Sequence, residues 1–196
     1  FEEFYDGYKA LLDYYLDLSV KAQYHSYEVM NQHVSFLFTS LLTDDCIARG
    51  KALLDGGVRY LGGTNETYGN INTSDSLWVI RDLVFNQKKY TLRQLNDAML
   101  ANFNGYEALR KDCLNCDKYG NDLETADTMA NDLYEFVAKG VRDRGIAIGM
   151  QYFLIVISNN QLNTEWGNRT AASPDGRLSC MYMNPANNPQ GGPNKS

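Results

Sequence analysis

The sequence is poor in the residues that most catalytic devices need. It has only two histidines, His25 and His33, and both fall on a helical stretch with no nucleophile motif beside them, so no Ser-His-Asp set is suggested. There is no P-loop, no Gly-x-Gly-x-x-Gly fingerprint and no His-Glu-x-x-His, which removes the enzyme classes that depend on them. No apolar run approaches the ~20 residues needed to cross a bilayer, and no basic segment followed by an apolar one opens the chain. The reading is a cytoplasmic protein. A net charge of −6, with 18 Lys and Arg scattered among 24 acids, leaves no basic stripe. That argues against nucleic acid and anionic membrane as partners, and for small molecules or other proteins. Cysteine is scarce too. Cys46, Cys113, Cys116 and Cys180 read as free thiols rather than a disulfide framework, and Cys113-Leu-Asn-Cys116 has zinc-knuckle spacing without the second pair that a structural zinc needs.

What is present is apolar side chain, 44% of the residues, enough to bury a substantial core. Phe4, Tyr8, Leu11, Leu12, Tyr15 and Leu18 recur at helical spacing and predict an amphipathic helix from Glu2 to about Ala22, its aromatic-rich face in the core. Further helices are predicted from His33 to Leu42 and from Asp44 to Leu54, the last ended by Gly56-Gly57. Val58-Arg-Tyr-Leu61 reads as a short buried strand. Ser74 or Asp75 is expected to cap a helix carrying Leu77, Ile80 and Val84, and Thr91 with Gln94 makes a capping box for the next. Asn104-Gly105 breaks that helix, a short one runs through Leu109, and Tyr119-Gly-Asn-Asp122 is a turn. The longest helix is expected to carry Leu123, Ala126, Ala130, Leu133, Phe136 and Val137 and to stop at Gly140. Tyr152-Phe-Leu-Ile-Val-Ile157 is the strongest strand signal. Six consecutive apolar residues imply burial on both faces and a parallel α/β arrangement covered by helices. Ser173-Pro-Asp-Gly-Arg177 is a turn, and from Asn184 onward the composition is that of a loop.

One stretch, Asp55 to Leu77, has the look of a pocket wall. Its glycines at 56, 57, 62, 63 and 69 allow close backbone approach, while Asn65, Glu66, Tyr68 and Asn70 supply polar groups where a buried strand opens. Glu66 is the one carboxylate whose surroundings invite chemistry, as a general base or as an acceptor for substrate. The competing reading has it order the amides of its own loop. Asp175 reads first as a turn residue, and Arg177 as a salt-bridge partner.

Asp45-Cys-Ile-Ala-Arg-Gly50, Gly56-Gly-Val-Arg-Tyr60, Asp75-Ser-Leu77 with Lys88-Lys89, Asn102-Phe-Asn-Gly-Tyr106, Lys118-Tyr-Gly-Asn-Asp122 and Ala172-Ser-Pro-Asp-Gly-Arg177 follow in an order that resembles the glycyl radical enzymes of the pyruvate formate-lyase type. The first resembles that family's Asp-Cys-Ile-Glu-Arg-Gly and the second its Gly-Gly-Ala-Arg-Tyr. Gly191-Gly-Pro-Asn-Lys195 is similar to a following Gly-x-Asp-Lys-Asn segment, with a departure at Pro193. The resemblance covers nearly the whole chain. It implies a helix-rich α/β fold, part of a ten-stranded barrel of two antiparallel half-barrels wrapped by helices, with residues 1–183 in the barrel domain and 184–196 a loop or disordered tail. It also implies a lyase of anaerobic metabolism. In that family a glycyl radical near the C-terminus passes its spin to a cysteine on a finger loop, and the thiyl radical attacks the substrate. The radical is installed by a separate S-adenosylmethionine iron–sulfur activating enzyme, so no cofactor is expected on this chain itself. The implied partners are a small-molecule substrate, the remaining segments of the parent enzyme, the activating enzyme and a second copy in a homodimer.

Neither a Gly-Cys-Val-Glu-like finger loop nor an Arg-Val-Ser/Ala-Gly-Tyr radical motif occurs in the sequence. None of the four cysteines falls on the finger-loop motif, so no catalytic residue carries over. With Phe1 first and loop composition last, the chain is expected to be a middle-to-late segment of such an enzyme. It would contribute barrel wall and pocket to C–C, C–O or related bond cleavage and be inactive alone. Where many members place glutamine in Gly-Val-Gln-Gly, this chain has Thr64-Asn65-Glu66-Thr67, and the acid points to a decarboxylase or dehydratase subgroup. Glu66, with Asn65 and Tyr68, is expected to bind substrate, Glu66 facing the barrel interior. The alternative is a free-standing, non-catalytic binding or scaffold module on the same fold, which would run as a monomer on size exclusion. The segment reading is checked by incubating the isolated chain anaerobically with activating enzyme and S-adenosylmethionine. No glycyl radical doublet is expected by electron paramagnetic resonance, and a doublet overturns the reading.

Overall fold

Helix begins at the second residue of the chain, where Glu2 and Glu3 in the first turn complement the helix dipole. In the computed structural model, which describes residues 1–156, 162–185 and 188–190, this helix α1 (Glu2–His33) runs for 32 residues. It is longer than the predicted span, and the helix expected from His33 starts only after a turn. There follow α2 (Leu37–Leu42), α3 (Cys46–Arg49), β1 (Gly62–Glu66), α4 (Asn70–Val79), α5 (Leu92–Leu100), α6 (Glu107–Asn115), α7 (Glu124–Ala147), β2 (Tyr152–Val156) and α8 (Leu162–Asn168). The chain divides into two compact units, one of Phe1–Tyr5, Glu66–Glu135 and the described residues of Ile157–Ser196, the other of Asp6–Asn65 and Phe136–Val156.

The second unit is built on α1, the end of α7 and a two-stranded sheet of β1 and β2. Gln151 N–H donates to the Leu61 carbonyl at 2.8 Å, and Leu61 N–H to Gln151 Oε1 at 2.7 Å. These residues lead into the two strands, so the strands start side by side and run parallel, as predicted. The strand expected at Val58–Leu61 forms instead at Gly62–Glu66. Arg49 Nη1 reaches the carbonyls of Gly56 and Val58, Arg59 is held on Asp45, and Tyr60 is 67% exposed, so that apolar run is tied into a bend rather than a ladder. Glycine suits the strand because a Cβ on Gly63 would lie 2.6 Å from the Phe153 ring. Burial on both faces of β2 does not hold: Phe153 is buried but Leu154 is 52% exposed. Ile157 lies outside the described residues.

Gly140 does not stop α7. A side chain there would meet Leu16 Cδ1 at 2.8 Å, and Arg144, one turn on, pairs with Asp13 at 2.6 Å, so the glycine serves close packing of α7 on α1. In α1 itself Leu16 and Val20 are buried in this unit, whereas Leu11, Tyr15 and Leu18 of the predicted core face are exposed. The helix turns a second apolar stripe outward. The third predicted helix shrinks to α3 and a 3₁₀ turn at Leu53–Asp55, because Gly50 takes a left-handed conformation between them.

In the first unit the cap expected at Ser74 or Asp75 lies inside α4, which starts four residues earlier after a left-handed Gly69. Both side chains are buried mid-helix. The helix continues into π-helical turns over Ile80–Asn86, which seat Phe85 against Phe1 with ring centroids 5.7 Å apart. Thr91 and Gln94 form the predicted capping box of α5. Beyond α5, Asn102 and Phe103 both have positive φ. The strain is offset by the burial of Phe103 beside Leu83, Leu95, Leu109 and Cys113 and by the Ser179 N–H bond to Asn102 Oδ1 at 2.8 Å. In α8, Gly167 has no room for a side chain, since a Cβ would sit 2.4 Å from the Met181 carbonyl oxygen and 2.6 Å from Tyr182 Cα. Gly167→Ala is expected to destabilise the fold by about 1–3 kcal/mol because backbone cannot give way. The urea midpoint of the intact protein measures it, and an unchanged midpoint refutes it.

Candidate functional site

Glu66 ends β1 and its side chain is exposed. The Tyr68 hydroxyl donates to Glu66 Oε2 at 2.6 Å, which fixes one carboxylate oxygen and leaves the acid oriented by its own loop. Asn65 accepts at Oδ1 from the Ser19 hydroxyl of α1 at 3.0 Å. Successive strand residues point to opposite faces, so the Glu66 side chain leaves β1 on the face opposite that of Asn65. The structure thus pairs Glu66 with Tyr68 and anchors Asn65 to a helix.

The turn after Tyr68 is fixed by what it packs against. Gly69 has φ +68°, and a side chain there would press on Met183 Sδ at 3.1 Å. Its N–H donates to the Asn184 carbonyl, and the Asn184 N–H donates back to Asn72 Oδ1 at 2.7 Å. Asn72, Asp75 and Ser76 lie on one face of α4 at i, i+3, i+4 spacing, and this face builds a buried polar cluster. Asn72 Nδ2 donates to Asp175 Oδ2 at 2.7 Å and to Gln190 Oε1 at 2.9 Å. Gln190 Nε2 bridges the two acids, donating to Asp75 Oδ2 at 2.8 Å and Asp175 Oδ2 at 2.9 Å. Asp75 Oδ1 accepts from the Tyr119 N–H, Ser76 Oγ accepts from the Asp175 N–H, and the Ser173 hydroxyl donates to Asp175 Oδ1. Burial pushes the Asp75 carboxyl up to about 6, against the opposing pull of the Tyr119 amide and the Lys118 charge.

Arg177 is no salt-bridge residue. It donates to the Ser173 hydroxyl and to the carbonyls of Leu178, Met181 and Ala171, so it staples its loop, and burial lowers its pKa. A cavity of about 420 Å³, walled by Arg110, Leu114, Met181 and Tyr182 among others, borders the cluster. Burial also pushes the Cys113 thiol to about 12 and the Cys116 thiol to about 11, which keeps both as thiols at neutral pH. Among the described residues no group of His, Cys, Asp and Glu could hold a metal ion. None of the helices among them is long and apolar enough to cross a membrane.

Sequence reasoning gave Asp75 the wrong role, as a cap, placed Asp175 correctly in its turn without its buried partners, and passed over Asn72, Asn184 and Gln190. The spacing of Asn72, Asp75 and Ser76 on a single helical face was the available signal. Asp45 Oδ2 accepts from Arg59 Nε at 2.8 Å, and that bond holds the Asp45 carboxyl below its usual range. It joins the first two motifs of the chain.

The chain belongs to the pyruvate formate lyase-like family, whose model matches residues 1–162. Its relatives are glycyl radical enzymes. The chain is 30% identical to trans-4-hydroxy-L-proline dehydratase of Clostridioides difficile over 98% of its own length and 24% of that protein's. It is 26% identical to the 4-hydroxyphenylacetate decarboxylase glycyl radical subunit of the same species, over 91% of its length and 22% of the relative's. The glycerol-bound B12-independent glycerol dehydratase of Clostridium butyricum superposes with a TM-score of 0.85 at 27% identity, over 93% of this chain and 23% of that one. The chain therefore spans about a quarter of the length of the relatives it matches, and it shares their fold over that span.

Replacing Arg177 with Met should leave several inward carbonyls without a donor and cost about 3 kcal/mol. Arg177→Lys should recover only part, because an ammonium cannot fan across four acceptors. Thermal unfolding of the intact protein tests this, and a Tm equal to wild type for Arg177→Met refutes it.

Proposed function

We propose that the chain is a wall and pocket segment of a glycyl radical lyase or dehydratase, its residues 1–183 forming part of a ten-stranded barrel. The radical glycine, the attacking cysteine and the activating enzyme would lie outside it. The observation that carries the reading is the Glu66–Tyr68 pair at the end of β1, a carboxylate oriented by a hydroxyl at 2.6 Å on the strand face opposite the one anchored to α1. With Tyr68 on Oε2, the other oxygen is the one to accept from a substrate hydroxyl or ammonium group. Asn65, held by Ser19, fixes the strand beside the same substrate. The role of these residues is to bind and orient, and to exclude water and oxygen around a radical made elsewhere.

The outward apolar side chains favour a segment of a larger enzyme over a free-standing module. Phe38, Leu42 and Ile47 are 75%, 74% and 69% exposed, and a module would leave them in water. The supporting relatives include a hydroxyproline dehydratase and a glycerol dehydratase, and removal of a hydroxyl from a small polar molecule is the reaction class that an oriented acceptor suits best.

Loss of a charge-assisted hydrogen bond costs about 1.5–3 kcal/mol, so Glu66→Ala in the intact protein should raise KM about tenfold to a hundredfold. The assay uses whichever of trans-4-hydroxy-L-proline, glycerol or 4-hydroxyphenylacetate the protein turns over, with the glycyl radical yield unchanged by electron paramagnetic resonance. An unchanged KM removes Glu66 from the substrate site.

A further inference from the structure

Nothing in the proposed reaction uses the most buried acid of the chain. Asp75 is 1% exposed and Asp175 is 2% exposed, and the two carboxyl groups accept from the same nitrogen, Gln190 Nε2, at 2.8 and 2.9 Å. Their supports are unequal. Asp175 takes the Asn72 amide, the Gln190 amide, the Ser173 hydroxyl and the Arg177 N–H, the donor set that a carboxylate wants. Among the described residues Asp75 takes only the Tyr119 N–H and the Gln190 amide.

The charged groups facing Asp75 do not neutralise it by contact. The Lys118 ammonium is spent on the carbonyls of Cys113 and Cys116 at 2.6 and 3.2 Å. Arg110 reaches the Gly176 carbonyl, and Arg177 reaches Ser173 and the carbonyls of its own loop. Asp127 of α7 takes the Gly120 N–H. Lys118 still draws on Asp75 through space, while the like charge of Asp175 and burial oppose its ionisation. Ionising Asp75 therefore places a second negative charge across a single amide, out of water, and weighs on the contact that closes residues 173–185 and Gln190 against α4.

The same contact positions the turn beside Glu66. Asn72 holds the Asn184 N–H, Asn184 holds the Gly69 N–H, and Met183 backs Gly69. We propose that Asp75, Asp175, Gln190 and Asn72 form a proton-operated latch: with Asp75 neutral the 173–185 loop is clamped on α4 and turn 66–72 is fixed, and with Asp75 ionised the clamp opens more often. Asp75 is a positioning residue in this scheme. Its bearing on substrate rests on the Glu66 reading, but the latch itself does not.

The direction follows from linkage. The carboxyl is pushed up to about 6 in the closed state from 3.8. The closed state binds more protons between those values, and its extra stability is full below the lower one and lost as pH rises through the higher. With these two values the opening constant should rise about tenfold from pH 5 to pH 8.

Hydrogen exchange of the intact protein, without substrate and corrected for the chemical exchange rate, reads this in peptides covering 66–76 and 173–185. The expected result is an increase of about tenfold between pH 5 and pH 8 in wild type and none in Asp75→Asn. Exchange that is flat in wild type, or a rise that survives in Asp75→Asn, overturns the latch. Should Asp75→Asn fail to fold, difference infrared spectroscopy of wild type over the same range decides. Loss of a buried carboxylic acid C=O band in step with the exchange supports the latch, and an unchanged spectrum overturns it. Because no substrate is present, failure of the Glu66 reading leaves this result standing, and failure of the latch leaves the KM of Glu66→Ala as it was.

Discussion

Two buried carboxyl groups bridged by one side-chain amide are what the first unit depends on. Taking Asp75 and Asp175 out of water is costly unless donors meet them, and the donors come from separate parts of the chain: Asn72 from α4, Tyr119 from the turn after α6, Ser173 and Arg177 from the later loop, and Gln190 beyond it. Apolar contact seats the loop at Ala172 and Leu178, and the polar cluster fixes the stretch around Asp175. The position of that stretch is set by matching acceptors to donors, and a half-satisfied cluster would be worse than an apolar one. Fixed hydrogen-bond geometry therefore specifies this packing where hydrophobic burial alone would leave it loose.

Most of the motifs that betray the family have the same character. Asp45 in the first motif grips Arg59 in the second. Asn102 accepts from the Ser179 backbone, Lys118 caps the C-terminal carbonyls of α6, and Lys89 with the Tyr90 hydroxyl converges on Asp112. That convergence lowers the Asp112 pKa through Lys89 first and Tyr90 second, and raises the Tyr90 hydroxyl to about 12. Asp45, Lys89, Asn102 and Lys118 each bond to backbone or to a side chain distant in sequence, where a change in side-chain length would break geometry rather than chemistry. The motifs that carry the resemblance thus read as structural, and no catalytic residue carries over because the cysteine-loop and glycyl motifs do not occur in the sequence.

The parts of the fold that were legible in the sequence are those governed by local physics. The capping box at Thr91 and Gln94, the turn at Ser173 to Arg177, the parallel pairing and the existence of most helices follow from capping, turn chemistry and periodicity. The departures occur where distant groups decide. Gly140 looks like a stop signal until Leu16 occupies the space its side chain would need. Asp75 looks like a cap until Tyr119 and Gln190 supply its donors from 44 and 115 residues away. Val58 to Leu61 looks like a strand until Arg49 and Arg59 claim its backbone and its neighbours. Gln190 and Asn184 had no local signal at all, because a polar residue in a loop-like composition is uninformative until its partner is known. At the candidate site, Glu66 and Tyr68 stood out because an acid among glycines has few structural reasons to be there.

A side chain that binds substrate must be held to within about half an ångström, and rigid support is harder to supply at the end of a strand than on a buried helix. Glu66 is exposed, and its partner Tyr68 comes from its own loop, so neither can fix the other absolutely. Rigidity has to be imported. It enters through Gly69, whose left-handed turn is clamped by Asn184 and Met183, and Asn184 is in turn fixed by Asn72 of the buried cluster. Only glycine fits both the conformation and the contact at position 69, so the chain runs from the exposed acid to the buried acids without a flexible link. The buried cluster and the turn that carries Glu66 and Tyr68 are therefore mechanically linked, and the costly burial of two carboxyl groups supports the placement of a third.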